Sequence, residues 1–466
     1  MKALTKALSL LAASAMIVSV AACGGGSDSA SSDSGAAAKV NTDKKANDGA
    51  QCTNTVKKTG VQKVTVWGWY PAIEKVVDQF NETHDDLQVC WNNGGQGGGE
   101  YTKFQNAIKA GSGAPDVIQL EYEAMPQFMT GTQQHLVDLS QFGFNDHKDD
   151  YTEGSWDMVK LGTEDKAYAV PVDLGPFVMY VREDIFTKYN VDVPTTYDEF
   201  ADAAKKLKDA GYDGYISDFP LNQTAMLIAF FEQAGAKVNT YSASDPTKVK
   251  VNYDSPEAKK VLDYWQKLID AGYVDTTDAN TTDWTTNILS GKYATWIQAS
   301  WQTGYLASSS DDANADSGFR IHKAPVWDDS TPDVNQGGSA WAVTDQAKDT
   351  EAAYKVAREL FGSEEAQKIG VTDGGLFPAW TDMLNSDFFK TEKVAFLGNQ
   401  EPNTITIPVA EGYKGSDFLP FQTYAYDEQA KMLKSIFTDG TSVDDALAKI
   451  DSTLKNYATQ QGYTAE

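Results

Sequence analysis

Two hydrophobic periods alternate along the chain from residue 64. Val64-Thr65-Val66-Trp67 reads as a strand, and the turn Gly68-Trp69-Tyr70-Pro71 separates it from a helical stripe. In that stripe Ile73, Val76, Val77 and Phe80 fall at i, i+3, i+4 and i+7, the spacing of an amphipathic helix. Residues 87–91 predict a second strand. A glycine-rich stretch over 92–99 leads to a helix with Tyr101, Phe104 and Ile108 on one face. Residues 116–120, bounded by Gly113 and Pro115, predict a third strand. Strands and helices in this alternation predict a parallel sheet covered on both faces.

The second half repeats the style with longer helices. Thr196-Tyr197-Asp198-Glu199 has the spacing of a capping box. Asp254 or Ser255 caps another helix, with Pro256 in its first turn and Val261, Leu262, Trp265, Leu268 and Ile269 as its buried stripe. Val443, Ala446, Leu447, Ile450, Leu454 and Tyr457 hold helical spacing near the end. No unit of 20–50 residues recurs.

With 466 residues the chain exceeds one compact core and predicts two domains. Sixty-six acidic residues against 39 Lys and Arg give a net charge of -27, which argues against nucleic acid and against attraction to anionic lipid. Lys2 and Lys6 followed by a short apolar run over 7–22 read as an export signal. The run ends in Val20-Ala21-Ala22-Cys23, which resembles the lipobox of bacterial lipoproteins, with Val where Leu is usual. That resemblance implies that Cys23 is acylated and anchors the chain at the outer face of the cell membrane. Residues 23–60 are rich in Gly, Ser, Ala and Asp and predict a tether spanning roughly 30–35 Å as a flexible coil. Outside the cell disulfides persist, and Cys52 and Cys90, placed before the first strand and at the end of the second, are expected to pair.

Several segments together carry a wider resemblance. They are Val77-Asp78-Gln79-Phe80-Asn81, Gly111-Ser112-Gly113-Ala114-Pro115-Asp116-Val117, Lys166-Ala167-Tyr168-Ala169-Val170-Pro171, Val193-Pro194-Thr195-Thr196-Tyr197, Ser290-Gly291-Lys292-Tyr293-Ala294 and Gly337-Gly338-Ser339-Ala340-Trp341. In this order, behind a lipobox, the chain resembles the family 1 extracellular solute-binding proteins of ABC importers, the group that includes maltose-binding protein. The resemblance implies an α/β fold of the periplasmic-binding-protein type II: two α/β lobes with a ligand cleft between them, joined by hinge segments. Lobe one is expected over 61–172 plus 334–375 and lobe two over 173–333 plus 376–466. It also implies a monomer that captures a neutral oligosaccharide and delivers it to permease subunits. No cofactor and no catalysis are expected.

A sugar presents weakly apolar C–H faces and a rim of hydroxyls, so its site needs flat rings and oxygen acceptors. Trp67, Trp69 and Tyr70 stand at the end of the first strand, and Glu121 and Tyr122 at the end of the third. Asp173, at the first crossing, serves as ligand or hinge. Asp218 and Phe219 are expected on the second wall. Trp301 matches the stacking Trp of maltose-type relatives, whereas Trp296 belongs to the core. Gly338 lets backbone approach the ligand, and Phe377 and Trp380 are late hinge aromatics. The run over 94–99 lacks the Gly-Lys-Ser/Thr ending of a phosphate loop. Four His without ligand spacing give no metal site. Two rival readings remain: a secreted lipoprotein glycoside hydrolase, in which Glu121 and Asp218 face each other, and a receptor for a non-sugar solute.

Overall fold

The computed structural model describes residues 52–130 and 133–466. The leader, Cys23 and most of the tether lie outside them. In chain order the strands of the two main sheets are β1 (Gln62–Trp67), β2 (Leu87–Asn92), β3 (Val117–Glu121), β4 (Val170–Pro171), β5 (Phe177–Arg182), β6 (Thr295–Ala299), β7 (Phe319–Lys323) and β8 (Ser339–Val343). The helices that matter below are α1 (Ile73–Thr83), α2 (Gly98–Ala110), α3 (Glu153–Lys160), α4 (Tyr197–Asp209), α5 (Thr224–Gln233), α6 (Pro256–Asp270), α7 (Gln422–Phe437) and α8 (Val443–Gln460).

The first sheet has the order β2-β1-β3-β8-β4. β1 pairs in parallel with β2 and β3, as the alternation predicts. β8 runs antiparallel to both β3 and β4. The sheet is therefore mixed rather than parallel. The chain enters β8 on its return from the other lobe, so no helix crossover within this lobe fixes its direction. The second sheet is three-stranded, with β5 between β6 and β7 and antiparallel to both. Two α/β lobes result, each with its own core.

The helices follow their patterns. Ile73, Val76, Val77 and Phe80 are all buried on α1. Thr196 and Glu199 form the capping box of α4 in both directions. Ser255 accepts from Ala258 N at the start of α6, whose Val261, Leu262, Trp265 and Leu268 are buried. Among the described residues no helix is long and apolar enough to cross a membrane.

Residues 52–58, expected in the tether, lie along the outer edge of β2. Cys52 is bonded to Cys90. The Asn54 amide donates to Val89 O at 2.9 Å and accepts from Trp91 N at 2.8 Å, and Thr53 N donates to Trp91 O at 2.7 Å. Lys57 N and Lys58 N both reach the Gln88 side chain at 3.2 Å. This covers an edge strand that would otherwise offer unpaired backbone groups. Reduction of the disulfide is expected to free this segment before the lobe unfolds. Trypsin cleavage after Lys57 and Lys58, read by mass spectrometry, should then accelerate on the order of tenfold, because local opening governs proteolysis.

Candidate functional site

Three chain segments run side by side between the two sheets. Asp173–Leu174 pairs antiparallel with Phe377–Pro378, and Pro176 bridges Asn335. Gln336 N donates to Gly175 O at 2.8 Å, Val172 N to Ser339 O at 3.1 Å and Ala379 N to Val172 O at 3.0 Å. The ribbon is tightly packed at Gly175. A Cβ there would stand 2.0 Å from Gln336 O and 2.8 Å from Trp301 Nε1. Gly175→Ala is expected to force these strands apart and to cost about 1–3 kcal/mol, the range of overpacking changes, read as a lower urea midpoint.

The end of β1 supplies the first aromatics. Gly68 lets the turn lie against Trp341, since a Cβ would meet the indole at 2.6 Å. Trp69 N donates to Gln119 Oε1 at 2.8 Å. Its half-buried ring meets Tyr101 of α2 edge-on, with centroids 5.9 Å apart. Tyr101 in turn donates its hydroxyl to Glu121 Oε2 at 2.8 Å and accepts from Glu121 N at 3.1 Å. Trp69 and Glu121 are thus neighbours through Tyr101. Trp67 is half-buried in β1 opposite Asn92 and Ile118. Tyr70 is only 3% exposed, packed edge-on against Trp341 and Phe361.

Tyr70 does reach the site through its oxygen. The Ser339 hydroxyl lies 2.7 Å from Tyr70 Oη and 3.0 Å from Asp173 Oδ1, and Ser339 N donates to Asp173 Oδ1 at 2.9 Å. Burial raises the Asp173 carboxyl to about 7, against the opposing pull of the Ser339 donors and Tyr70. Tyr122, itself buried, donates to Asp173 O at 3.1 Å. Gly338 has φ 88, and a Cβ there would stand 2.6 Å from Asp173 O and 2.9 Å from Tyr122 Cε2. Only glycine fits both demands.

Gly337 and Gly338 connect this acceptor cluster to Trp301. The Trp301 indole Nε1 donates to Gln336 O at 3.2 Å. Its ring is 38% exposed, while Trp91, Trp265, Trp284, Trp296 and Trp341 are fully buried. Trp301 and Phe377 line one cavity of about 400 Å³, together with Gly304, Gly375 and Asn403. Phe377 also packs edge-on against Phe389 at 5.3 Å. Trp380 is half-buried and bridges Tyr151 through its backbone, apart from that cavity's lining.

Two residues expected on the second wall lie elsewhere. Asp218 is 3% exposed and accepts from Trp284 Nε1 at 2.6 Å, and burial raises it to about 7. Phe219 is fully buried, stacked on Trp265 and Phe230. The strand Ser217–Asp218 pairs with Val274–Asp275 inside the lobe, so its end turns into the core rather than toward the crossing ribbon. Asp218 therefore does not face Glu121 as an acid pair would.

The sequence reading missed two participants. Tyr101 carries a helical-face signal and nothing that marks its hydroxyl. Glu123 is two residues beyond Glu121, and Tyr426 of α7 donates to Glu123 Oε2 at 2.7 Å. Burial pushes both Glu121 and Glu123 above the usual carboxylate range, Glu121 against the pull of the Tyr101 hydroxyl and Glu123 with added repulsion from Glu121. Further contacts join the walls: Tyr241 donates to Met129 O, and Lys414 Nζ lies 2.6 Å from Glu153 of α3. Among the described residues no group of three or more His, Cys, Asp or Glu is arranged to hold a metal ion.

Two lobes, a three-segment ribbon and a seam of half-exposed rings and carboxylates between them are the architecture of a two-lobed binding protein. The chain belongs to the bacterial extracellular solute-binding proteins, whose family profile matches residues 68–367. Among solved structures it resembles the ABC-transporter-associated binding protein of B. animalis subsp. lactis Bl-04 in complex with beta-1,6-galactobiose. The identity is 28%, the TM-score 0.71, and the match covers 87% of this chain and 100% of that one. An uncharacterized ABC transporter extracellular-binding protein of Pyrococcus horikoshii is 25% identical over 69% of this chain and 70% of its own length. The arabinooligosaccharide-binding protein of Halalkalibacterium halodurans is 22% identical over 61% of this chain and 63% of its own. The chain thus aligns with a little less than two thirds of that last relative. These family members and neighbours are binding proteins.

Proposed function

We propose that the chain captures a neutral oligosaccharide at the outer face of the cell membrane and passes it unaltered to the permease of an ABC importer. The observation that carries this is the partly exposed Trp301, joined by the strip Gln336-Gly337-Gly338 to the acceptor Asp173, with Glu121 paired to the next residue, Ser339, on the neighbouring strand. Rings take the C–H faces of a sugar, and carboxylates and amides take its hydroxyls. The Trp301 cavity is lined by one carboxylate and one amine, Glu392 and Lys393, so it offers no net positive charge to an anionic ligand. Trp67, Trp69, Tyr122, Gly338, Phe377 and Trp380 complete the proposed walls, with Tyr70 acting through Ser339. The crossing ribbon is the proposed hinge between lobe one (61–172, 334–375) and lobe two (173–333, 376–466). Ligand favours the closed form by binding it better than the open one. Acylation at Cys23 would keep the receptor near its permease, and the receptor acts as a monomer.

A thermal-shift screen of the protein lacking residues 1–23 tests this. Ligand at a hundredfold its dissociation constant adds about 2.7 kcal/mol to the native state, a clear rise in midpoint. The reading fails if no mono- or oligosaccharide moves the midpoint while peptides or anions do. Chromatography of the incubated sugar should recover it intact; release of shorter products would instead favour a glycoside hydrolase.

A further inference from the structure

Beyond Tyr101 the structure has a second, larger space. A cavity of about 700 Å³ lies between α2 and the C-terminal helices α7 and α8. One wall carries Tyr101, Thr102 and Gln105 of α2, and the other carries Phe421, Tyr424, Tyr457 and Tyr463. We propose that this compartment is an outer saccharide site, continuous with the Trp69–Glu121 end of the cleft, and that it holds the distal units of an oligosaccharide longer than a disaccharide. The inference rests on the carbohydrate reading above and narrows it to longer chains.

Tyr101 links this compartment to the Trp69–Glu121 pair. Its ring edge meets Trp69, its hydroxyl holds Glu121, and it lines the outer compartment. A chain seated on Trp69 and Glu121 therefore has Tyr101 as its next wall. The opposite wall is a preformed aromatic platform. Tyr424 and Tyr457 stack with centroids 3.7 Å apart, and Phe421 meets Tyr457 at 5.2 Å and Tyr463 at 5.9 Å. Tyr424, Tyr457 and Tyr463 all remain half-exposed. Rings held by one another present their faces with little ordering cost on binding.

The polar groups fit the same class of ligand. Gln105 donates to Gln127 Oε1 at 3.2 Å across the compartment's floor, and both amides retain further donor and acceptor capacity. Asp427 and the tyrosine hydroxyls add acceptors. The lining includes no Lys or Arg, so a phosphorylated or acidic glycan has no counter-charge here. The volume lies within the roughly 300–1,000 Å³ of small-molecule sites and exceeds that of the Trp301 cavity. Walls from both lobes mean that a bound chain of sufficient length would touch both and favour closure.

The test is titration calorimetry with beta-1,6-linked galactooligosaccharides and arabinooligosaccharides of two to five units. Native protein should bind the longer members of one series at least tenfold more tightly than its disaccharide. Tyr463→Ala should remove most of that gain and leave disaccharide affinity unchanged. Thr102→Trp, on the exposed face of α2, fills the compartment without touching a core and should do the same. Equal affinity for two and four units, or equal losses on both in these variants, overturns the outer site while the cleft reading stands. If neither series binds at any length but another neutral disaccharide does, the length series of that sugar decides the matter. Failure of every sugar overturns both.

Discussion

Trp301→Ala is expected to weaken oligosaccharide binding by roughly 30- to 100-fold while moving the ligand-free melting point by only a degree or two. The loss corresponds to about 2–3 kcal/mol, the size of a central aromatic contact in a binding site. The small stability effect follows from its position. Its ring is 38% exposed, so little packing is lost on truncation. Its one hydrogen bond, to Gln336 O, is worth about 1 kcal/mol. Phe219→Ala is the matched control. That ring is fully buried between Trp265 and Phe230, and its removal should cost about 3–5 kcal/mol of stability. The affinity of the protein that still folds should stay unchanged. Calorimetric titration together with urea unfolding of both variants separates the outcomes. If Trp301→Ala binds as tightly as native protein, the stacking wall is misplaced. If Phe219→Ala folds normally and loses binding, the second wall runs through residue 219 after all.

These two aromatics also mark how far the sequence could be read. Local pattern carried the helices, because a stripe such as Ile73, Val76, Val77 and Phe80 and a cap such as Thr196 with Glu199 act within one or two turns. Trp301 stands out in the sequence only through the family resemblance; what the structure adds is that it follows a fully buried strand and stays partly exposed itself. Local pattern failed where side-chain direction depends on distant partners. Phe219 follows a strand, but only packing against Trp265 and Phe230 sends its ring inward. Asp218 is claimed by Trp284, 66 residues away. Glu123 meets Tyr426 across 303 residues. The direction of β8 is set by the chain's return from the other lobe, which no local period encodes. The ordered stretch over 52–58 was hidden by a polar composition. Its order comes from the disulfide and from the Asn54 amide bonded to β2.

The second large effect is on pH. The ligand-free protein should be most stable near pH 4–5 and lose stability steadily toward pH 8, and Asp218→Asn should flatten part of that slope. Asp218 has a native value near 7, raised by burial over the opposing Trp284 hydrogen bond, against an unfolded value of about 3.9. Between those values the native state holds a proton that the unfolded state has released. The unfolded state then binds fewer protons, so unfolding free energy falls as pH rises. The loss begins near pH 4 and is complete once pH passes the native value. Asp173, also near 7, and Glu232, near 8, act in the same direction for the same reason. For the fully enclosed Asp218 the difference corresponds to about 2–4 kcal/mol above pH 7. An asparagine keeps an oxygen for Trp284 and has no charge to bury. Asp218→Asn should therefore match native protein near pH 4 and exceed it by several degrees in midpoint at pH 8. Oligosaccharide affinity should be unaltered, since the side chain is sealed from the cleft. Differential scanning fluorimetry from pH 4 to 8.5 checks both curves. A native midpoint that rises through pH 5–7, or an Asp218→Asn variant that is less stable than native protein at pH 8, would show that residue 218 is held as a carboxylate.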